Sequence, residues 1–256
     1  MHILDMLPLW AVYIVTVIIV LVAAEIGFRL GMWLQRRDTS SGKVTMTGAV
    51  VGGMLGLMAF LLAFSIGIVI NQHNGRKAMV VTEANAVGTA YLRAGFLSEP
   101  DRTSTRDLLR EYVEVRLVIE SDPTRLDSAV RRSEEIHSQL WVIVEDSVRG
   151  GNESAIMALF VDSINEVIDV HSLRLTAGFL RLPRLLGVVL YAAIILSFLL
   201  VGVASSSDGK RDPVAILLFA LAFVAVFIIV VDLDRPQEGI LNVSQTALSD
   251  LLRQMK

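Results

Sequence analysis

The stretch DLDRPQEG at residues 232–239 follows a charge-free run and places two carboxylates, an arginine and a proline within five positions. A carboxylate at the edge of the hydrocarbon is costly unless it meets water or a cation. A calcium ion needs six or more oxygen ligands, and here only Asp232, Asp234 and Glu238 are available, with Arg235 among them. The residue types therefore favour an ion-paired cluster, and we predict neither a bound metal nor a cofactor.

A partner for this cluster is predicted on the continuation of the second apolar helix beyond the membrane. Pro236 cannot continue a helix, so the fourth membrane helix is expected to end here. Glu83 lies in the helix-two continuation and is the predicted partner of Arg235. We predict a charged clamp between the two helices, formed by Glu83, Asp232, Asp234 and Arg235.

Other arrangements of reactive side chains give weaker signals. Asp162, Glu166 and Asp169 recur at helical spacing, which suits either a hard-cation site or, more often, a solvated helix face. The histidines do not form an HExxH pattern, and no GxSxG, phosphate-loop or dinucleotide fingerprint occurs. The sequence has no cysteine, which excludes disulfides and thiol catalysis. We therefore predict no enzymatic activity and no catalytic residue.

The elements that position these residues are predicted to cross a membrane. The chain of 256 residues is 54% hydrophobic, with a mean hydropathy of +0.60. Its charge-free runs are long enough to cross the hydrocarbon core, which needs about twenty residues of helix; they are residues 7–24, 44–75, 185–207 and 213–231. No basic region precedes the first run, so it is predicted to be a retained helix rather than a signal peptide.

The residues between the second and third runs are charged and rich in helix formers. Breaks at Pro100, at Asp122-Pro123 and at Gly150-Gly151 divide this region into amphipathic helices. We predict an all-α integral membrane protein with four transmembrane helices in two hairpins and an inserted helical bundle. The predicted domains are a first transmembrane hairpin, an extramembrane helical domain, a second hairpin and a C-terminal tail, at residues 1–71, 72–183, 184–232 and 233–256.

Small residues form a stripe along the second membrane helix. Such stripes let helix backbones approach closely, and this one recurs at spacings of three and four through Gly48, Gly52, Gly56, Ala59, Ala63 and Gly67. Two interpretations remain open: tight packing, or several copies of the helix arranged around an axis. In the second, Phe60 and Phe64 lie beside the stripe and narrow a pore, and Asn71 lies at its mouth. Hydrophobic rings of this kind gate by dewetting.

Three stretches together, LLAFSIGIVINQ, EANAVGTAYLRA and DLDRPQEG, resemble a bacterial family of bestrophin-like membrane proteins, a domain of unknown function. The resemblance spans essentially the whole chain, and bestrophins proper are more distant. It implies a homo-oligomeric, pentameric ion channel whose second helix lines the pore with aromatic and aliphatic constrictions. The partners implied are membrane lipid, inorganic ions and further copies of the chain; no basic aromatic-interleaved patch indicates nucleic acid.

The chain departs from bestrophins in two places. The tryptophan-rich segment that follows the second helix in bestrophins is absent from GRKAMVV, and the acidic cluster is too sparse for the calcium site of the animal proteins. Basic residues flank both sides of the membrane about equally, so orientation in the inner membrane is taken from the resemblance, with the helical domain in the cytoplasm. The alternative to a channel is a non-conducting scaffold or sensor whose helical domain binds a partner.

Overall fold

The computed structural model describes residues 7–37, 44–151, 154–207, 212–235 and 241–255. Within these ranges all regular structure is helical, which confirms the all-α fold class. Short 3-10 turns lie at Ala94–Phe96 and Pro123–Arg125. The helices are α1 (Leu9–Arg37), α2 (Val44–Arg93), α3 (Asp101–Ser121), α4 (Leu126–Arg149), α5 (Ala155–Phe179), α6 (Arg184–Ser207), α7 (Pro213–Asp234) and α8 (Thr246–Gln254).

The helical stretches that are long and apolar enough to cross a membrane number four in the described part of the chain. They are Leu9–Arg36, Gly48–Phe96, Ala155–Ser206 and Pro213–Asp234. The second and third far exceed the roughly twenty residues that a bilayer needs. In each of these two stretches, the charge-free part is the run predicted to cross the membrane. The rest of each stretch carries charged residues and is mostly helical.

Local sequence signals explain where the helices begin. The Asp212 carboxylate accepts a hydrogen bond from the Ala215 backbone N–H at 3.0 Å, and Pro213 opens α7. At α5 the Ser154 hydroxyl is the cap and accepts from the Met157 backbone. Asn152, which follows the Gly150-Gly151 break, lies outside the described residues.

The chain divides into two compact units. The membrane unit comprises Met1–Gln72 and Arg181–Leu241, and the extramembrane unit comprises His73–Leu180 and Asn242–Lys256. The division between the units falls inside the continuous helix α2. Instead of a separate tail, residues 242–255 join the extramembrane unit.

In the membrane unit, α1 packs most closely on α6 and also on α7. Glycines make this approach possible: a Cβ added to Gly27 would collide with the backbone of Leu199, and one added to Gly202 would collide with the backbone of Ala24. The spacing of Gly27 and Gly31 is the small-xxx-small pattern that sequence reasoning overlooked. The two-hairpin arrangement remains a prediction, because the closest helix partner of α1 is α6 rather than α2.

The extramembrane unit has its own core, which α8 completes. Tyr112 of α3, Phe160 and Ile164 of α5 and Leu248 of α8 are all fully buried in one apolar cluster. Met255, just beyond α8, is also buried there. The C-terminal helix is therefore part of the bundle and not an appendage.

Candidate functional site

One face of α2 in the membrane unit is uncovered. Phe60 and Phe64 are 65% and 53% exposed, and their stacked ring centroids lie 6.4 Å apart. Asn71, at the other end of this face, is also exposed. The opposite side of the helix is buried through Met58 and Leu62. The pore-lining candidates therefore lie together on the side of α2 that faces away from its own chain.

The small residues of α2 lie on the same uncovered face. A Cβ added to Gly48, Gly52, Gly56 or Gly67 would meet nothing within 4 Å in the described structure. Ala63 is exposed as well. Among the residues that the structure describes, the glycines of the stripe therefore have no close neighbour, unlike the glycines between α1 and α6.

At the end of α7, the three polar side chains of DLDR each contact a backbone group of the membrane unit. The Asp234 carboxylate accepts from the Leu182 backbone N–H at 2.6 Å, and the Asp232 carboxylate accepts from that of Leu241 at 3.2 Å. The Arg235 guanidinium donates to the Leu7 carbonyl at 2.9 Å. Backbone N–H and C=O groups near hydrocarbon need hydrogen-bond partners within the protein. The side chains of this stretch provide such partners for the segments before α1, before α6 and after α7. Pro236 and Glu238 lie outside the described residues.

Glu83 has close partners within the extramembrane unit that the sequence analysis did not name, and the charged clamp with Arg235 stays a prediction. It is fully buried in the extramembrane unit, where the Tyr112 hydroxyl donates to its Oε1 at 2.6 Å. The Arg116 Nε lies 3.1 Å from the same oxygen, and Arg174 pairs with Oε2. Arg174 also donates to Gln245, the residue before α8. A buried carboxylate needs cations and donors within its own core, and α3 and α5 supply them.

Two histidines extend this network. The Tyr112 hydroxyl lies 3.0 Å from Nδ1 of His171, and the ring centroids of His171 and His137 are 4.8 Å apart in an edge-on arrangement. Both histidines are buried. We refer to Glu83, Tyr112, Arg116, His137, His171 and Arg174 as the buried polar network.

Burial and the local positive charge set the protonation of the network. Burial raises the pKa of Tyr112 well above its ordinary value, although Arg116 opposes the shift, so the phenol stays protonated. Burial also lowers the pKa of Arg116. Burial and the Arg116 charge lower the pKa of His137 to about 4, so this ring is neutral at physiological pH.

Sequence reasoning overlooked the network because its members look like ordinary helix residues. Tyr112 and Arg116 are four apart in LLREYVEVR, on the same helix face as the buried Leu109. Glu83 likewise lies between buried apolar positions, in line with Val80 and Val87. A charged residue at an apolar position of the helical period is the signal that marks such a site.

The acidic trio of α5 lies elsewhere on the bundle. Asp162, Glu166 and Asp169 are exposed, and Asp162 lies 3.7 Å from Arg93. In the described part of the chain, no cluster of three or more histidine, aspartate or glutamate side chains could hold a metal ion.

Comparisons with known proteins agree on the fold. The bestrophin-like domain matches residues 14–248. A mutant of a bacterial bestrophin homologue from Klebsiella pneumoniae superposes with a TM-score of 0.70 at 13% identity, over 95% of this chain and 97% of that chain. A second mutant of that homologue gives 0.69 at 13% identity, over 96% of each chain.

A third solved structure, described as a membrane protein, gives 0.71 at 12% identity, over 94% of this chain and 97% of that one. No curated protein matches the chain. At these identities the structural likeness establishes the fold alone, whereas the domain match covers nearly the whole sequence. The chain therefore belongs to the bestrophin-like family of membrane proteins.

Proposed function

We propose that this protein is one subunit of a homo-oligomeric ion channel or pore, with α2 facing the axis. The observation that carries the proposal is the uncovered face of α2, on which small residues and two phenylalanines lie together. Family membership supports it, since bestrophins are known as channels. The same resemblance suggests five subunits.

The composition of this face argues for a protein or water neighbour rather than lipid. The exposed face of α1 carries large side chains such as Trp10, Ile14 and Ile18, as suits a lipid-facing helix. The exposed face of α2 instead has Gly52 and Gly56, which leave backbone uncovered unless another helix or a lumen lies beside them. Neighbouring copies of α2 around an axis would use this face.

The phenylalanines supply the constriction in this proposal. Phe60 and Phe64 are one turn apart, so each adds a ring of aromatic side chains in a symmetric assembly. A narrow apolar ring excludes water and holds a pore closed until it widens. Asn71, about three helical turns from Phe60, would then meet hydrated ions.

The cargo and setting follow from the family. We propose inorganic ions as the transported species, the bacterial inner membrane as the location, and the cytoplasm as the side of the extramembrane unit. No catalytic group is assigned, because the polar network is buried within the bundle.

A second candidate function is a non-conducting scaffold or sensor. It is favoured by exposed apolar side chains on the extramembrane unit, where Leu92 is 73% and Phe96 57% exposed. A partner protein would cover such residues. The two candidates differ in whether α2 faces a lumen.

The test is ion flux through the purified protein in liposomes. Replacing Phe60 and Phe64 together with alanine removes the proposed apolar constriction, so flux should rise. The matched control is Leu185→Ala with Val188→Ala, which truncates two exposed apolar residues of α6 one turn apart. It should leave flux unchanged.

Unaltered flux in the Phe60 and Phe64 variant, with its assembly intact, would contradict the proposed constriction. A strictly monomeric particle in lipid nanodiscs would contradict the channel itself and leave the scaffold.

A further inference from the structure

The single proton of the Tyr112 hydroxyl fixes the tautomer of His171. That proton is donated to Glu83 over 2.6 Å, so the phenol oxygen can only accept from its other close neighbour. Nδ1 of His171, at 3.0 Å, must therefore carry a proton. In the neutral ring the remaining nitrogen, Nε2, is bare.

A second proton on His171 would thus have to enter at Nε2. This atom is buried and makes no hydrogen bond with any of the described residues. The same holds for Nε2 of His137. A proton on either nitrogen would be a buried donor without a partner, which is costly.

The surrounding charges make a second proton still less favourable. The charged and titratable groups in the buried polar network are Glu83 from α2, Tyr112 and Arg116 from α3, His137 from α4, and His171 and Arg174 from α5; Gln245, before α8, is neutral. With both histidines neutral, two arginines face one carboxylate. Each added proton increases an existing excess of positive charge inside the bundle.

We infer that His137 and His171 form a proton-binding site that is closed in the packed bundle and becomes available only when α3, α4 and α5 separate around Glu83. Acid then favours the opened bundle, because both histidines bind protons in the opened bundle and remain neutral in the closed one. This makes the extramembrane unit a proton-responsive element. It requires neither a pore nor an oligomer.

The sign of the effect follows from proton counting. Below the ordinary histidine pKa of 6.5 and above the lowered value of about 4 for His137, the opened state binds more protons than the closed state. Stability of the closed bundle therefore falls as pH falls through this window and is constant above it.

Hydrogen exchange of the full-length protein in nanodiscs measures this opening. Between pH 7.5 and 5.0, after correction for intrinsic exchange, protection of the α3, α4 and α5 amides should fall by roughly 25-fold for each histidine that regains an ordinary pKa on opening. The test variant is His137→Asn with His171→Asn. Asparagine does not bind a proton in this pH range. At position 171 its amide can still donate a hydrogen bond to Tyr112 from near the place of Nδ1.

The double variant should lose the acid-dependent part of the opening while remaining protected at pH 7.5. The matched control is His73→Asn, a half-buried histidine outside the network, which should keep the wild-type acid response. If the double variant does not fold, His137→Asn alone should reduce the acid-dependent fall in protection by the factor expected for one histidine.

An acid response that survives in the folded variants overturns the inference. So does a wild-type protein whose protection is the same at both pH values.

Discussion

Two glycine-lined helix surfaces of the membrane unit differ in what lies against them. Between α1 and α6, Gly27 and Gly202 touch the backbone of the opposing helix, and no room remains for a Cβ. Along α2, a Cβ added to Gly52 or Gly56 would meet no atom of the described residues within 4 Å. The same residue type at similar spacing thus marks a closed contact in one place and an uncovered surface in the other. Small-residue spacing indicates that a helix allows close approach, but it does not identify the neighbour.

The closed contact should be the more sensitive to a large side chain. Gly202→Leu would force α6 away from the backbone of α1, because a Cβ on Gly202 would collide with the Ala24 carbonyl oxygen. Overpacking typically costs about 1–3 kcal/mol, and a clash with backbone should reach or exceed the upper end of that range. We expect little folded protein, measured as the monodisperse fraction after extraction and as thermal unfolding. Normal stability of Gly202→Leu would mean that α1 and α6 are not in contact as described.

A smaller loss of stability is expected for a substitution of Arg235, which follows α7. Arg235 is buried and donates to the Leu7 carbonyl just before α1, so Arg235→Ala removes a part-buried hydrogen bond from a charged donor. The expected loss of stability is about 1–3 kcal/mol. Arg29→Ala is the matched control, since Arg29 makes an exposed pair with Glu25, and exposed pairs contribute at most about 1 kcal/mol.

Thermal unfolding of the two variants side by side checks this prediction. An equal loss of stability in Arg235→Ala and Arg29→Ala would show that Arg235 lies in solvent at the end of α7 and that its contact with Leu7 contributes nothing to stability.

The smallest effect on the fold of the single chain is expected on the uncovered surface. Gly52→Leu and Gly56→Leu add side chains at positions where an added Cβ meets no described atom within 4 Å, so the stability of the isolated subunit should change by no more than about 0.5 kcal/mol. Assembly should suffer instead, because a leucine separates neighbouring copies of α2. Native mass spectrometry of subunit number measures this. An unchanged oligomer in both variants would contradict the use of this face between copies.

The fold was largely predictable, because the signals that define it are local. Charge-free runs locate membrane helices, and Asp212 with Pro213 marks the start of α7 because a cap and a preset φ act within a few residues. The residues that surround Glu83 were not predicted, for the opposite reason. Opposite charge makes Arg235 a candidate partner of Glu83. Which residues surround Glu83 depends, however, on the core in which it is buried. That core is assembled from residues far apart in sequence, Arg116 and Arg174 among them.

The candidate pore face was only partly predictable. The order of Gly52, Gly56, Phe60 and Phe64 places them on neighbouring helix positions, which follows from the 3.6-residue period alone. Which side of α2 is left uncovered depends on the packing of Met58 and Leu62 against the rest of the unit. The neighbour of the uncovered side belongs to the assembly, so no single-chain pattern specifies it.

The position of α8 in the bundle imposes an order on biosynthesis. Residues 73–180 are translated before the last two membrane spans, yet their core includes Leu248 and Met255, which are translated after those spans. The core of the bundle therefore cannot be complete while the chain is emerging, even though domains generally fold from the N-terminus during synthesis. Until α8 is made, the apolar side chains that pack against Leu248 and Met255 lack these two partners. Completion of the extramembrane unit thus waits for translation of α6 and α7.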